Sequence, residues 1–183
     1  MACRLCADWP PGLAGVRSAV WLGDTARQAV HLFKYQGWRR LAESFAVTLR
    51  RIVSIPPGSV LVPIPLGAAR LKVRGYNQSA ELAASLGQLF RLSVAPDVLR
   101  RRRETGTQTV LTPEARRANL AGAFVAAGQV PRTAVLVDDV FTTGATLFEA
   151  AGALLQGGAS RVSAVTFARA PLPLADALAA AEA

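Results

Sequence analysis

The sequence predicts an α/β fold, a parallel sheet flanked by helices. From residue 60 onward, short apolar runs (60–62, 134–137 and 162–167) alternate with segments of helical periodicity. The run Ala134-Val135-Leu136-Val137 is hydrophobic at every position, as a strand buried on both faces must be. Size is the third observation: 183 residues at 51% hydrophobic suffice for one domain with a sizeable core and exclude a disordered chain. Strands and helices at this spacing give right-handed βαβ units, whose ligands bind beyond the carboxyl ends of the strands.

Residues 1–14, with Cys3, Cys6 and Pro10-Pro11, form an irregular start. Residues 15–54 supply a strand and two helices that act as a hood or partner surface. The strand spans 16–22. Asp24 caps the first helix, whose face carries Ala26, Val30 and Phe33, and Gly37 stops it. The second helix carries Leu41, Phe45, Leu49 and Ile52 on one face, and Pro56-Pro57-Gly58 breaks the chain. Residues 55–170 form the core. Its first strand ends in Pro63-Ile64-Pro65, and a helix runs over 77–90. Residues 100–112 are basic and aperiodic, and Thr112-Pro113-Glu114 starts a helix. After the strand at 134–137 comes a helix at 144–155, ended by Gly157-Gly158, and then the last strand. Residues 171–183 are an Ala-rich tail.

The chain carries 21 Lys and Arg against 12 Asp and Glu, a net charge of +9. That points to an anionic partner: nucleic acid, phosphorylated metabolite or acidic protein. A single His excludes most His-based metal sites. No apolar run approaches the roughly 18 residues of a membrane helix, and no secretory pattern opens the sequence, so the expected location is cytoplasmic.

The strongest signal is VLVDDVFTTGAT, residues 135–146. Asp138 and Asp139 stand at the end of a buried strand, and a loop of Thr142, Thr143, Gly144, Ala145 and Thr146 leads into a helix. Backbone N–H groups and hydroxyls can converge there, backed by the positive helix end, in a cradle sized for one phosphate monoester. Two carboxylates would repel that phosphate unless something lay between them. A ribose ring does so, its 2′ and 3′ hydroxyls donating to the acids while its 5′-phosphate reaches the loop. Without a ligand, the same residues could be a turn cap and a solvated acid. The pair comes too late in the chain for a receiver domain. Walker and GxGxxG patterns are absent, which argues against nucleoside triphosphatases and dinucleotide enzymes.

This string resembles the 5-phosphoribosyl 1-pyrophosphate (PRPP) motif of type I phosphoribosyltransferases, and the resemblance implies that fold. It also implies that the acidic pair holds the ribose hydroxyls and the Thr-Gly loop the 5′-phosphate. A second strand end is basic, with Arg70, Lys72 and Arg74 within five positions and Asn77 and Gln78 opening a helix. It is either a solvated turn or a pyrophosphate site, since arginine neutralises such a group and fixes its angle. The resemblance puts the pyrophosphate loop at Pro63, Ile64 and Pro65, with Arg70 and Arg74 as charged contacts.

The segment 100–119 holds six Arg and two Glu, a balance of +4. It is a solvated charge run, a nucleic-acid contact, or a mobile lid in which Arg102, Arg103, Thr107 and Gln108 close over pyrophosphate and exclude water. Few aromatic residues lie near it, so base stacking has little support there.

Phe33-Lys34-Tyr35-Gln36-Gly37, Val62-Pro63-Ile64-Pro65, Arg74-Gly75-Tyr76-Asn77-Gln78, Thr107-Gln108, Arg116, Asn119, Gly122-Ala123-Phe124 and the Asp-Asp loop occur in that order. The order is similar to the competence protein F (ComF) family and covers about residues 3–169. That resemblance implies a phosphoribosyltransferase-like protein associated with DNA uptake in natural transformation. The implied chemistry is displacement of pyrophosphate at ribose C1 of PRPP, with Mg²⁺ bridging the leaving oxygens. Asp138 and Asp139 favour the oxocarbenium-like charge, and the acceptor is left open. The alternative is a non-catalytic competence factor that binds PRPP or a related phosphate together with single-stranded DNA or a DNA-processing protein. Cys3 and Cys6 have the spacing of half a zinc site, where relatives often begin with a four-cysteine ribbon. Zinc wants four ligands, so these are two free thiols unless another chain helps, and zinc is not expected in this chain.

Overall fold

The computed structural model describes residues 9–103 and 120–171. In chain order its elements are β1 (Leu13–Trp21), α1 (Asp24–Tyr35), α2 (Leu41–Ile52), β2 (Val60–Pro63), α3 (Ala68–Arg74), α4 (Gln78–Phe90), β3 (Leu99–Arg101), β4 (Phe124–Ala126), β5 (Thr133–Phe141), α5 (Ala145–Gln156) and β6 (Arg161–Arg169). Four strands form an all-parallel sheet in the order β1-β6-β5-β2. The fold is α/β with helices on both faces, consistent with the type I phosphoribosyltransferase class.

β5 shows why its sequence reads as continuously apolar. Ala134 and Leu136 face a core shared with α5 and the short β3–β4 ribbon, and Val135 and Val137 face one shared with α1, α2 and α4. Alternate side chains of a strand point to opposite faces, so a strand covered on both sides must be apolar at every position. On the second face Phe45 of α2 stacks on Phe167 of β6 with ring centres 3.6 Å apart, and Phe33 of α1 meets Phe45 edge-on.

β1 runs from Leu13, earlier than the predicted 16–22, and pairs in parallel with β6. The segment 15–54 therefore supplies an edge strand of the central sheet together with two helices packed on it. Gly23, with extended backbone, is the N-cap of α1; Asp24 is its first helical residue and favours the helix through its charge rather than as a cap. Residues 68–74 form a short helix with no buried side chain where the sequence suggests a basic turn. Arg100 and Arg101 also depart from the aperiodic reading, since they pair antiparallel with Val125 and Phe124.

The topology places a crevice. β2 and β5 are neighbours, yet the chain leaving β2 reaches α4 on one face and the chain leaving β5 enters α5 on the other. Such a divergence opens a cleft beyond the carboxyl ends of the two strands. Among the described residues no helix is long and apolar enough to cross a membrane.

Candidate functional site

β5 stays hydrogen-bonded to β6 past the acids, through the pairs Asp138–Thr166 and Phe141–Arg169. The two carboxylates are therefore strand residues, and they have different surroundings. Asp139 is 2% exposed, and its Oδ2 lies 2.7 Å from Lys34 Nζ of α1. Asp138 is half-buried; its Oδ1 accepts from Ser79 Oγ at 2.7 Å and from the Asp139 N–H at 3.0 Å.

The charges follow from this geometry. Burial, and then the neighbouring Asp139, push the Asp138 carboxyl up to about 7, against the pull of Lys34 and the Ser79 and Asp139 donors. Burial works to lower the Lys34 ammonium, but its contact with Asp139 outweighs this and leaves it raised. Asp139 and Lys34 thus form a closed ion pair, while Asp138 is poised to change charge near neutral pH.

Behind the acids the chain turns at 142–144 into α5. Gly144 has φ +81°, and a Cβ there would lie 2.5 Å from the Phe148 ring. Only glycine serves, because the conformation is left-handed and the space is filled. No side chain caps α5, so its first N–H groups stay available beside the loop. Thr142 and Thr146 line the cleft, whereas Thr143, Gly144 and Ala145 shape the turn behind them.

The cleft has a volume of about 450 Å³. Ile64, Pro65 and Arg70 line one side, with Arg101 of β3. Not every expected pyrophosphate residue reaches it. Pro63 is buried in the sheet opposite Val137, and the Ile64 N–H donates to the Val137 carbonyl at 3.0 Å. Arg74 donates to Gln78 Oε1 and lies 5.2 Å over the Tyr35 ring. Asn77 is committed to structure: its Oδ1 accepts from Ser79 N and its Nδ2 donates to the Ile64 carbonyl. It ties the start of α4 to the loop after β2 instead of offering a donor to a ligand.

The Arg102 N–H donates to the Ala123 carbonyl, and the Arg103 guanidinium donates to the Ala121 carbonyl at 2.7 Å. Both close the base of the ribbon, and the neighbouring Arg101 is the one that lines the cleft. Thr107, Gln108, Arg116 and Asn119 lie outside the described residues, as do Cys3 and Cys6. Among the described residues no group of three potential metal ligands exists.

The other side of the cleft belongs to α1: Arg27, His31, Lys34 and Tyr35 line it. Sequence reasoning gave these residues no site role. Arg27, His31 and Lys34 stand at i, i+4 and i+7, one helix face, and that spacing was the available signal. Lys34 carried a second one, being one of two lysines among 21 basic residues.

No family model matches the chain. Curated relatives do. A DNA utilization protein, YhgH, of Salmonella typhi is 31% identical over 170 residues, covering 88% of this chain and 75% of the relative. Competence protein F of Haemophilus influenzae is 33% identical over 152 residues, 77% of this chain and 66% of the relative. Competence protein ComFC of Bacillus subtilis is 29% identical over 182 residues, 91% of this chain and 72% of the relative.

Proposed function

The chain belongs to the competence protein F (ComF) family, and from that premise we propose that it binds a ribose 5-phosphate, in the form of PRPP, in the cleft beyond β2 and β5. The proposed role is in the uptake or use of DNA, as the names of its relatives suggest. One observation carries the sugar-phosphate reading. A carboxylate open to the cleft, Asp138, stands at the end of a buried strand beside Thr142, Thr146 and the uncapped start of α5. Anion donors and a hydroxyl acceptor side by side match a sugar monophosphate better than a free phosphate, which the acid repels.

In this reading the 5′-phosphate sits on Thr142, Thr146 and the α5 amides, and the ribose hydroxyls donate to Asp138. Asp139 supports from behind, its charge balanced by Lys34. Arg70 and Arg101 face the pyrophosphate. The described residues do not fit a resident metal, so Mg²⁺ enters as the counter-ion of the pyrophosphate, part of the substrate. For transfer, a lone pair on the acceptor forms the bond to C1. The C1–O bond breaks, its electrons leave with pyrophosphate, and an amine acceptor gives its spare proton to water. Ionised Asp138 stabilises the positive charge that grows on the ring.

Calorimetry with PRPP and Mg²⁺ tests the binding step. Binding should be seen for the native protein and weaken about tenfold in Asp138→Asn; equal affinity for both would reject the site. Pyrophosphate release across a panel of amine and base acceptors tests transfer. Silence throughout would leave a binding protein.

A second observation favours an added DNA contact. Trp21, Tyr35 and Trp38 are 65%, 67% and 56% exposed, and cations stand beside two of them: Arg169 lies 6.0 Å from the Trp21 ring and Arg74 lies over Tyr35. Aromatic faces with cations suit single-stranded DNA. Tryptophan quenching by oligothymidylate, weakening steeply with salt, is the expected result; no quenching, or a flat salt response, removes DNA from this surface.

A further inference from the structure

The cations of the cleft come from separate elements: α3 and β3 on the one hand, α1 on the other. Arg70 and Arg101 face the side assigned to pyrophosphate, and Arg27, His31 and Lys34 face it from α1. Lys34 is committed, because leaving Asp139 would strand a buried carboxylate. Among the described residues the Arg27 guanidinium has no hydrogen bond or ion pair, and the His31 ring has only a contact with the Tyr35 ring at 5.1 Å. Every basic or imidazole side chain of α1 belongs to the stripe that lines the cleft; outward positions such as Thr25 and Gln28 are uncharged. Leu22, Val30 and Tyr35 add apolar surface to the lining of the same cleft.

We infer that the α1 side of the cleft is a second anion subsite, held by Arg27 and His31, and that the acceptor it takes carries a carboxylate or phosphate. At a helical rise of 1.5 Å per residue, His31 and Arg27 lie about 5 Å and about 10 Å along α1 from Lys34, which touches the acidic pair. The acceptor therefore spans about 5–10 Å between its nucleophilic nitrogen and its anionic group, with a flat or hydrocarbon middle against Tyr35 and Val30. A shorter anion falls beside the carboxylates and is repelled. This subsite rests on the sugar-phosphate reading for the role of its ligand, but its anion preference can be measured alone.

The probes are two matched pairs, 4-aminobenzoate with 4-aminobenzamide and 3-aminopropyl phosphate with 3-aminopropanol, titrated with and without PRPP and Mg²⁺. At least one anionic member should bind about tenfold more tightly than its neutral partner, and the pair with the larger ratio identifies carboxylate or phosphate. In Arg27→Ala and Arg27→Ala/His31→Gln that ratio should collapse while PRPP affinity holds. Both side chains are exposed, so folding is not at stake. Equal binding within both pairs overturns the inference, as does a ratio that survives the double substitution. A loss of PRPP affinity in Arg27→Ala overturns it too, by assigning that side chain to the sugar phosphate. If the native protein binds no PRPP, the sugar-phosphate reading fails by itself, and the PRPP-free titrations still decide the subsite.

Discussion

Replacing Asp138 by Asn should make the protein more stable at pH 8 and change little at pH 5. Burial and Asp139 raise the Asp138 carboxyl from 3.8 to about 7. A carboxyl raised on folding holds its proton more tightly in the native state than in the unfolded chain. Between about pH 4 and 7 the native state thus binds more protons, and its stability falls as pH rises through that window. Above 7 the penalty is complete. At 1.36 kcal/mol per tenfold change in proton affinity its ceiling is about 4 kcal/mol. Water reaching a half-buried group reduces that to about 2 kcal/mol. Asn keeps the size and the Oδ1 acceptor for Ser79 and the Asp139 N–H, and removes the charge. For a chain of this size about 2 kcal/mol is about 4–8 °C in Tm. Melting both proteins from pH 5 to 8.5 should show the variant pulling ahead as pH rises. A difference that stays constant with pH, or a native protein that gains on the variant, would show that Asp138 ionises without strain and that the account of its environment is mistaken.

Three further tests probe the same site. Lys34→Met leaves Asp139 buried and unpaired and should cost about 3 kcal/mol in urea unfolding, with most of the loss recovered by adding Asp139→Asn; a cost that the second change does not relieve would mean Lys34 acts by packing alone. Gly144→Ala meets both the positive φ and the Phe148 ring, so about 2–3 kcal/mol of stability should go, and a neutral result would place the turn elsewhere. Thr142→Val and Thr146→Val remove hydroxyls at the cleft surface: ribose 5-phosphate should bind several-fold more weakly with Tm within about 1 °C, and unaltered affinity would take the phosphate off this loop.

The parts of the fold legible in the sequence are those where burial dictates composition. β5 is apolar on both faces, and α2 shows its buried Phe45 and Leu49 at helical spacing. The turn into α5 declares itself because its φ requires a glycine. Less legible was whatever depends on a distant partner. The strand near 16–22 was visible, but nothing in its residues names β6 as its neighbour. α3 shows no periodicity because none of its residues is buried; it is held at its carboxyl end, where Gly75 adopts φ +79° and Arg39 donates to the Gly75 carbonyl at 3.0 Å. The short β3–β4 pairing likewise decides that Arg101 reaches the cleft while Arg103 is spent on a carbonyl. Lys34 and Asp139 stand on separate elements far apart in the chain, and only the packing of α1 across the strand ends brings them to 2.7 Å.

That ion pair changes the meaning of the acidic motif. Read as a string, two adjacent aspartates look equivalent, both available to a sugar. Both line the cleft, but their partners make them unequal. Asp139 turns toward α1 and is neutralised there; Asp138 remains in the cleft, anchored by Ser79 and raised by its neighbour's charge. Lys34 also solves an electrostatic problem. In the proposed sugar-phosphate site two bare carboxylates would oppose the phosphate, whereas pairing with Lys34 leaves one uncompensated carboxylate at most beside it. The α1 helix thus does more than cover the core on its Val30–Phe33 side. Its polar stripe adjusts the charge of the strand end and offers Arg27 and His31 to whatever occupies the rest of the cleft. The segment before the core strands is therefore chemically part of the site, and the feature that makes it so is a lysine that the motif, taken alone, does not contain.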